Sequence, residues 1–255
     1  MRIFMWKFDD DKTAPLITAK AHIESCHGSG DLLLPETAVL FYMRGGIEFM
    51  SENYDIRLIS ENFPSFLNSR PIYQVNGYNN LCFLHGGWGA PMAVDTLETL
   101  AAMGVKNIVT VGMFGAFGDN VESGDIIIPG KAFSEEGTSR HYYENLEFSE
   151  PDKELLDSTV SSLKAKSLPI VTTDAVYRQT VYKENLWREK GAVGVDMETS
   201  ALFSVGKHLG VKVVSILIAS DKHTVEENAQ KWQWKMTPEM RKEFFEKCLS
   251  FALHI

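Results

Sequence analysis

Cysteine is scarce: Cys26, Cys82 and Cys248 are the only three in 255 residues, they lie far apart, and no CxxC pair joins any of them. Neither a disulfide framework nor a zinc knuckle is suggested, and a reducing, cytoplasmic setting is expected. Basic residues are also short, 25 Lys and Arg against 34 Asp and Glu, and no basic run offsets the formal charge of -9. Sequence-independent binding to nucleic-acid phosphates or anionic membranes is thereby disfavoured. Long apolar runs are missing too: the start breaks at Lys7 and Asp9, and the best later run, near Val213 to Ala219, falls far short of a membrane span. A soluble chain without a signal peptide is expected. Absent as well are internal repeats, low-complexity tracts and Pro/Gly/Ser linkers, so residues 1–255 read as a single domain, with 1–34 the less certain extension.

What is present is an ordinary globular composition, 44% hydrophobic and 23% charged, in which short apolar runs alternate with helical patterns. The runs are TAVLFY after Pro35, LCFLH from Leu81, NIVTVG from Asn107, DIIIP from Asp125, LPIVTT from Leu168 and KVVSILIAS from Lys212. This alternation predicts an α/β layer fold. Between the second and third runs, Val94, Leu97 and Ala101 recur at helical spacing, with Pro91 suited to a first turn and Gly104 to the position past the end. A second unit follows from Ser200, where Ala201, Leu202, Val205 and Leu209 form one stripe and Gly210 closes it before KVVSILIAS. Thr237 and Pro238 open a C-terminal docking helix carrying Met240, Phe244, Phe245, Cys248 and Phe251.

Open α/β sheets bind ligands beyond the carboxyl ends of their strands. There the chain places His85-Gly86-Gly87-Trp88-Gly89, Gly112-Met113-Phe114-Gly115, Thr173 to Tyr177, Asp196-Met197-Glu198 and Ser220-Asp221-Lys222. The Gly87-x-Gly89 turn offers backbone N–H groups to a phosphate, but it lacks the third glycine of GxGxxG and any Walker lysine, so a tight strand-to-helix turn explains it as well. Asp221 follows a buried strand, where desolvation suits a carboxyl to donate a proton; a helix cap or surface site is the equal alternative. Glu198 opens an apolar helix, and either caps it or accepts hydrogen bonds from sugar hydroxyls. The seven histidines show no metal-ligand spacing, His85 reads as packed, and no metal is assigned. Trp232 and Trp234 read as packing or an oligomer contact.

Taken together, GGWGAP (86–91), TVGMFGAF (110–117), ESGDIIIP (122–129), EEGTSRHYY (135–143), TTDAVYRQT (172–180), GVDMETSALF (194–203) and ASDKH (219–223) resemble the nucleoside phosphorylase superfamily, the purine nucleoside and uridine phosphorylases. The resemblance runs in order over roughly residues 35 to 253. It implies a three-layer α/β/α domain with a mixed, partly barrel-like sheet, assembled as a dimer, trimer or hexamer. It also implies cleavage of a nucleoside by inorganic phosphate, with no cofactor, to a free base and ribose 1-phosphate.

Residue by residue, the resemblance makes Glu198 the acceptor for the sugar 2′- and 3′-hydroxyls, with Met197 and Trp88 beside the ribose. Asp221 becomes the acid at the purine N7, which favours purine over uridine. Phe114, Gly115, Thr173, Val176, Tyr177, Val195 and Ser220 match positions that enclose the base. The phosphate positions depart from the family: its arginine reads Thr110, its serine reads Met113, and its N-terminal GDPxR motif is not visible. Arg44 and Arg140 are the nearest basic candidates, and surface roles explain them as well. A hydrolytic nucleosidase and a non-catalytic nucleoside-binding protein are the alternatives.

Overall fold

The structure, a computed structural model, describes residues 13–27, 32–67, 69–223 and 232–254. Its first elements are a helical turn α1 (Ala19–His22), strand β1 (Thr37–Tyr42), helix α2 (Gly46–Asn53), a hairpin β2 (Ile56–Ser60) and β3 (Ile72–Val75), then β4 (Leu81–His85) and α3 (Ala90–Ala102). Next come β5 (Asn107–Ala116), β6 (Ile126–Ile128), β7 (Ala132–Glu135), β8 (Phe148–Ser149), α4 (Lys153–Leu163), β9 (Lys166–Ser167) and β10 (Ile170–Thr173). The chain continues through α5 (Val181–Glu189), β11 (Gly194–Asp196), α6 (Thr199–Leu209), β12 (Lys212–Lys222) and α7 (Pro238–Ala252).

The predicted units form for the reasons their residues give. Pro91 enters the first turn of α3, where a missing N–H costs nothing, and Gly210 ends α6 at φ +72°, a conformation that suits glycine. Thr237 caps α7 by accepting the Met240 N–H at 3.2 Å. Strands β1 and β12 are buried along nearly their whole length, as strands covered on both faces must be. The hairpin β2–β3, helices α1, α2, α4 and α5, and the short strands β7, β8, β9 and β11 are the structure's additions to the sequence expectation.

The strands form one mixed sheet in the order β2-β3-β4-β1-β5-β11-β10-β7-β8, with β12 joining β5 and β6, and β9 joining β6. Helices α3 and α6 bury one face with Val94, Leu97, Leu100, Leu202 and Val205; α2, α4 and α7 bury the other with Phe49, Met50, Leu155, Phe244 and Phe245. This is the three-layer α/β/α arrangement expected. Cys82 and Cys248 are buried free thiols inside these layers, while the Cys26 side chain lies outside the described set.

Strand β5 is the junction. Along Asn107–Gly112 it pairs parallel with β1 on one side, but at Gly115 and Ala116 that side belongs to the antiparallel β11. On its other side β12 follows it throughout, with one irregularity: Ala219 pairs with Phe114 and Asp221 with Gly115, so Ser220 is an extra residue, a bulge. Where β1 and β11 part, the ends of β1, β4, β11 and β12 converge, and a switch of strand partners is where such sheets hold ligands.

Candidate active site

One end of this opening is built from carboxyl groups. Asp196 closes β11 and is buried. Its Oδ1 accepts the Thr172 hydroxyl at 2.7 Å, and its Oδ2 accepts the Thr199 N–H at 3.0 Å and the Thr199 hydroxyl at 2.5 Å. Asp196 is thus the carboxylate that caps α6. Glu198 stands at the N-cap position yet makes no cap bond there. Its Oε1 instead accepts the Gly89 N–H at 2.7 Å, across the opening. Burial, and after it the adjacent Asp196, push the Glu198 carboxyl up to about 8. Burial pushes Asp196 up to about 6, against the hydrogen bonds from Thr199 and Thr172. Two buried carboxyls this close resist ionising together, so the pair keeps a proton near neutrality.

The turn that meets Glu198 needs its glycines. Gly87 and Gly89 sit at φ +88° and +79°, and a Cβ on Gly87 would stand 2.8 Å from Nη2 of Arg70. Arg70 comes from the loop before β3 and is 7% exposed. Its Nη1 donates to the His85 carbonyl at 2.6 Å and to Thr96 Oγ1 at 3.2 Å, while Nη2 is buried with no partner among the described residues. The Tyr42 hydroxyl, at the end of β1, is likewise buried and unpartnered. Burial and then Glu198 hold the Tyr42 phenol well above its ordinary value, with Arg70 acting the other way. A buried cation with an unmet donor is costly unless an anion meets it.

The other end is built on the tail of β12. Asp221 is buried, with Oδ1 at 2.5 Å from the Ser220 hydroxyl and Oδ2 accepting the Trp232 indole N–H at 2.6 Å. Trp232, read from sequence as packing or an oligomer contact, is therefore a partner of the candidate acid, with Trp234 edge-on to it at 6.5 Å. His223 directs Nδ1 to Glu184 Oε1 of α5 at 3.2 Å. Hydrogen bonding to Glu184 raises the His223 pKa, against burial.

The other expected residues divide. Gly115 and Val195 face each other across β5 and β11, and Gly115 leaves room next to Asp221. Ser220 and Thr173 are buried at the ends of their strands. The Phe114 ring packs beneath Gly194 in the core, while its carbonyl lies 3.2 Å from the Ser220 hydroxyl. Met197 is half-buried, and Trp88 is half exposed with its ring 6.1 Å from that of His85. Val176 is 46% and Tyr177 96% exposed, so their side chains enclose nothing within this chain.

The four phosphate candidates are not brought together. Thr110 spends its hydroxyl on Ser215 at 2.7 Å inside the sheet, Met113 packs toward the α7 face, and Arg44 and Arg140 are exposed. Sequence reasoning missed Arg70, Tyr42, Asp196 as the cap, Glu184 and the role of Trp232. Only the Asp-x-Glu spacing before an apolar helix carried a usable signal, for Asp196.

A partner-switching mixed sheet with a buried glutamate meeting a glycine turn and an aspartate after the last core strand defines a class of α/β enzyme, and comparison with known proteins supplies the family. The chain belongs to the phosphorylase superfamily, whose family model matches residues 30–252. This is a family of pentosyltransferases that includes purine nucleoside and uridine phosphorylases. Among similar proteins, a DeoD-type purine nucleoside phosphorylase of Clostridium novyi (strain NT) is 28% identical over 66% of this chain and 72% of its own. Another, of Bacillus subtilis (strain 168), is 26% identical over 81% of this chain and 88% of its own. In fold, the chain is similar to uridine phosphorylase of Vibrio fischeri ES114, with a TM-score of 0.70 at 22% identity over 86% of this chain and 91% of that one.

Proposed function

We propose that the protein is a purine nucleoside phosphorylase, cleaving the N-glycosidic bond with inorganic phosphate to give the free base and ribose 1-phosphate. The observation that carries this reading is the placement of the buried Glu198–Asp196 pair at and just past the end of β11 and of the buried Asp221 at the end of β12, the two strands that flank β5 at Gly115. Glu198 accepts hydrogen bonds from the ribose hydroxyls, and any charge it bears favours the oxocarbenium-like transition state. Met197 and Trp88 flank the sugar. Asp221 supplies the proton that lets the purine leave neutral at N7. Gly115, Val195, Thr173 and Ser220 form the walls around the base.

Phosphate is placed at Arg70, not at Arg44 or Arg140, because Arg70 is the buried guanidinium with an unmet N–H beside the Gly87 turn. Its charge also favours phosphorolysis over hydrolysis, since water gains little from a desolvated cation. The reading includes a homo-oligomer in the cytoplasm acting on small molecules, without metal or organic cofactor. Among the described residues no helix is long and apolar enough to cross a membrane.

The test is base release from inosine, guanosine, adenosine and uridine, with and without phosphate, following the sugar product. Phosphate-dependent release with ribose 1-phosphate, faster from purine nucleosides, is expected. Free ribose formed without phosphate dependence would overturn phosphorolysis, and exclusive use of uridine would overturn the purine assignment.

A further inference from the structure

Three features place His223 beside Asp221 over Gly115, and sequence reasoning assigned it no role. After the Ser220 bulge, β12 resumes its alternation, so Asp221 and His223 share one side while Lys222 turns to the other and pairs with Glu122. Gly115 has no side chain, and from the position its Cβ would take, Asp221 Oδ2 lies 3.7 Å away and His223 Nε2 3.8 Å away. Both polar groups therefore converge on the same unfilled spot. Finally, the imidazole is fixed from behind: Nδ1 is 3.2 Å from Glu184 Oε1, and the Glu184 side chain is 6% exposed. A buried carboxylate at Nδ1 keeps a proton on that nitrogen and leaves Nε2 to face the opening.

We propose that His223, oriented by Glu184, reads the 6-substituent of a purine whose N7 is met by Asp221, and that the site selects 6-oxopurine nucleosides. The inference rests on the purine reading above. The N7 and 6-substituent are neighbours on one edge of the ring; guanine presents two acceptors there, adenine an acceptor and a donor. A doubly protonated His223 presents an Nε2–H donor that complements O6 and opposes the adenine amino group. With Nδ1 still protonated toward Glu184, the neutral ring presents a bare Nε2, which accepts from the amino group instead.

The charged groups around the ring come from two elements: Glu184 and Arg188 on α5, and Asp221 on its own strand. Hydrogen bonding to Glu184 is the largest influence and raises the His223 pKa; burial and Arg188 oppose it, and the charges of Glu184 and Asp221 add to it. Selection is therefore expected to depend on pH across the His223 titration. Glu184 is a positioning residue; His223 is the group that touches the base.

The experiment measures kcat/KM for inosine and adenosine, with uridine as a control, at pH values spanning the His223 titration, for the wild type, His223→Gln and Glu184→Gln. In the wild type the inosine-to-adenosine ratio is expected to fall by about tenfold or more from the acid to the alkaline side, the worth of a hydrogen bond to a charged donor. His223→Gln, whose amide turns either donor or acceptor forward, gives a small ratio independent of pH. In Glu184→Gln the pH dependence shifts to lower pH. A wild-type ratio flat with pH, or one unchanged by His223→Gln while both purine nucleosides are cleaved, overturns the role of His223 alone. Cleavage confined to uridine overturns the purine reading and this inference with it.

Discussion

The two ends of the opening are built differently. At the sugar end, Glu198 and Asp196 are held by the backbone of Gly89 and by Thr172 and Thr199, all in or beside regular elements buried by helices. At the base end, Asp221 stands near the end of β12 and His223 just past it, and their partners come from afar: Trp232 from the loop before α7, and Glu184 from α5. In the proposed reading, the first arrangement serves what every nucleoside has in common, a ribose and an attacking anion, and the second serves what differs among bases. Changes at the sugar end should slow all substrates alike, whereas changes at the base end should alter which substrate is preferred.

The largest effect tests the sugar end. Glu198→Gln keeps the shape but replaces a carboxyl oxygen, an acceptor for the sugar hydroxyls in the proposed reading, with a donating amide, and kcat/KM is expected to fall on the order of a hundredfold or more for every nucleoside cleaved. Steady-state assays on purine and pyrimidine nucleosides check it, and a loss confined to purines would erase the distinction between the two ends. Next in size is Arg70→Gln, which should raise the KM for phosphate about tenfold to a hundredfold, with base preference unmoved. An unchanged phosphate KM would remove Arg70 from the anion site.

A third expectation concerns pH and stability. Because the folded chain holds the Glu198 carboxyl near 8 instead of its ordinary 4.5, its contribution is full below about 4.5. It is lost as pH rises toward 8, since the unfolded chain gives up the proton first. Thermal unfolding of the wild type should therefore show a Tm falling through this window, and Glu198→Gln should show a shallower fall. Equal slopes in the two proteins would assign the proton elsewhere. The smallest effect is that of Trp232→Phe, which removes the indole N–H from Asp221. Turnover of purine nucleosides should drop several-fold, with stability changed by less than about 0.5 kcal/mol because the side chain is 59% exposed. Chemical denaturation together with kinetics separates the two readouts.

Much of the frame was legible in the sequence because it is written in local terms. Pro91, Gly210 and Thr237 mark element ends by their own backbone preferences, and the runs at Thr37, Leu81, Asn107 and Lys212 became strands where they stood. Hairpin β2–β3 was not legible, since Ile56–Ser60 is half exposed and carries Arg57 in mid-strand. Nor was β11, whose three residues are too few to show a period.

The site divides on the same principle. Glu198 and Asp221 stand out through their motifs, but the sharing of duties between Asp196 and Glu198 depends on Gly89, 109 positions from Glu198. Arg70 sits in an unremarkable Asn-Ser-Arg-Pro stretch and acquires meaning only when the fold buries it beside Gly87. Tyr177 shows the converse: a motif position that the fold of one chain leaves in solvent.

The bulge at Ser220 acts as a reading frame for the end of β12. Were the strand to run on without it, Ser220 would stand opposite Gly115 and Asp221 opposite Ala116, and every later side chain would change faces. The acid and the imidazole would then be carried away from the opening, and Lys222 would be presented in their place. What this strand offers a substrate is therefore fixed by a count of residues as much as by their chemical kinds, and inserting one residue between Ser220 and Asp221 would rewrite the site without replacing any of its members.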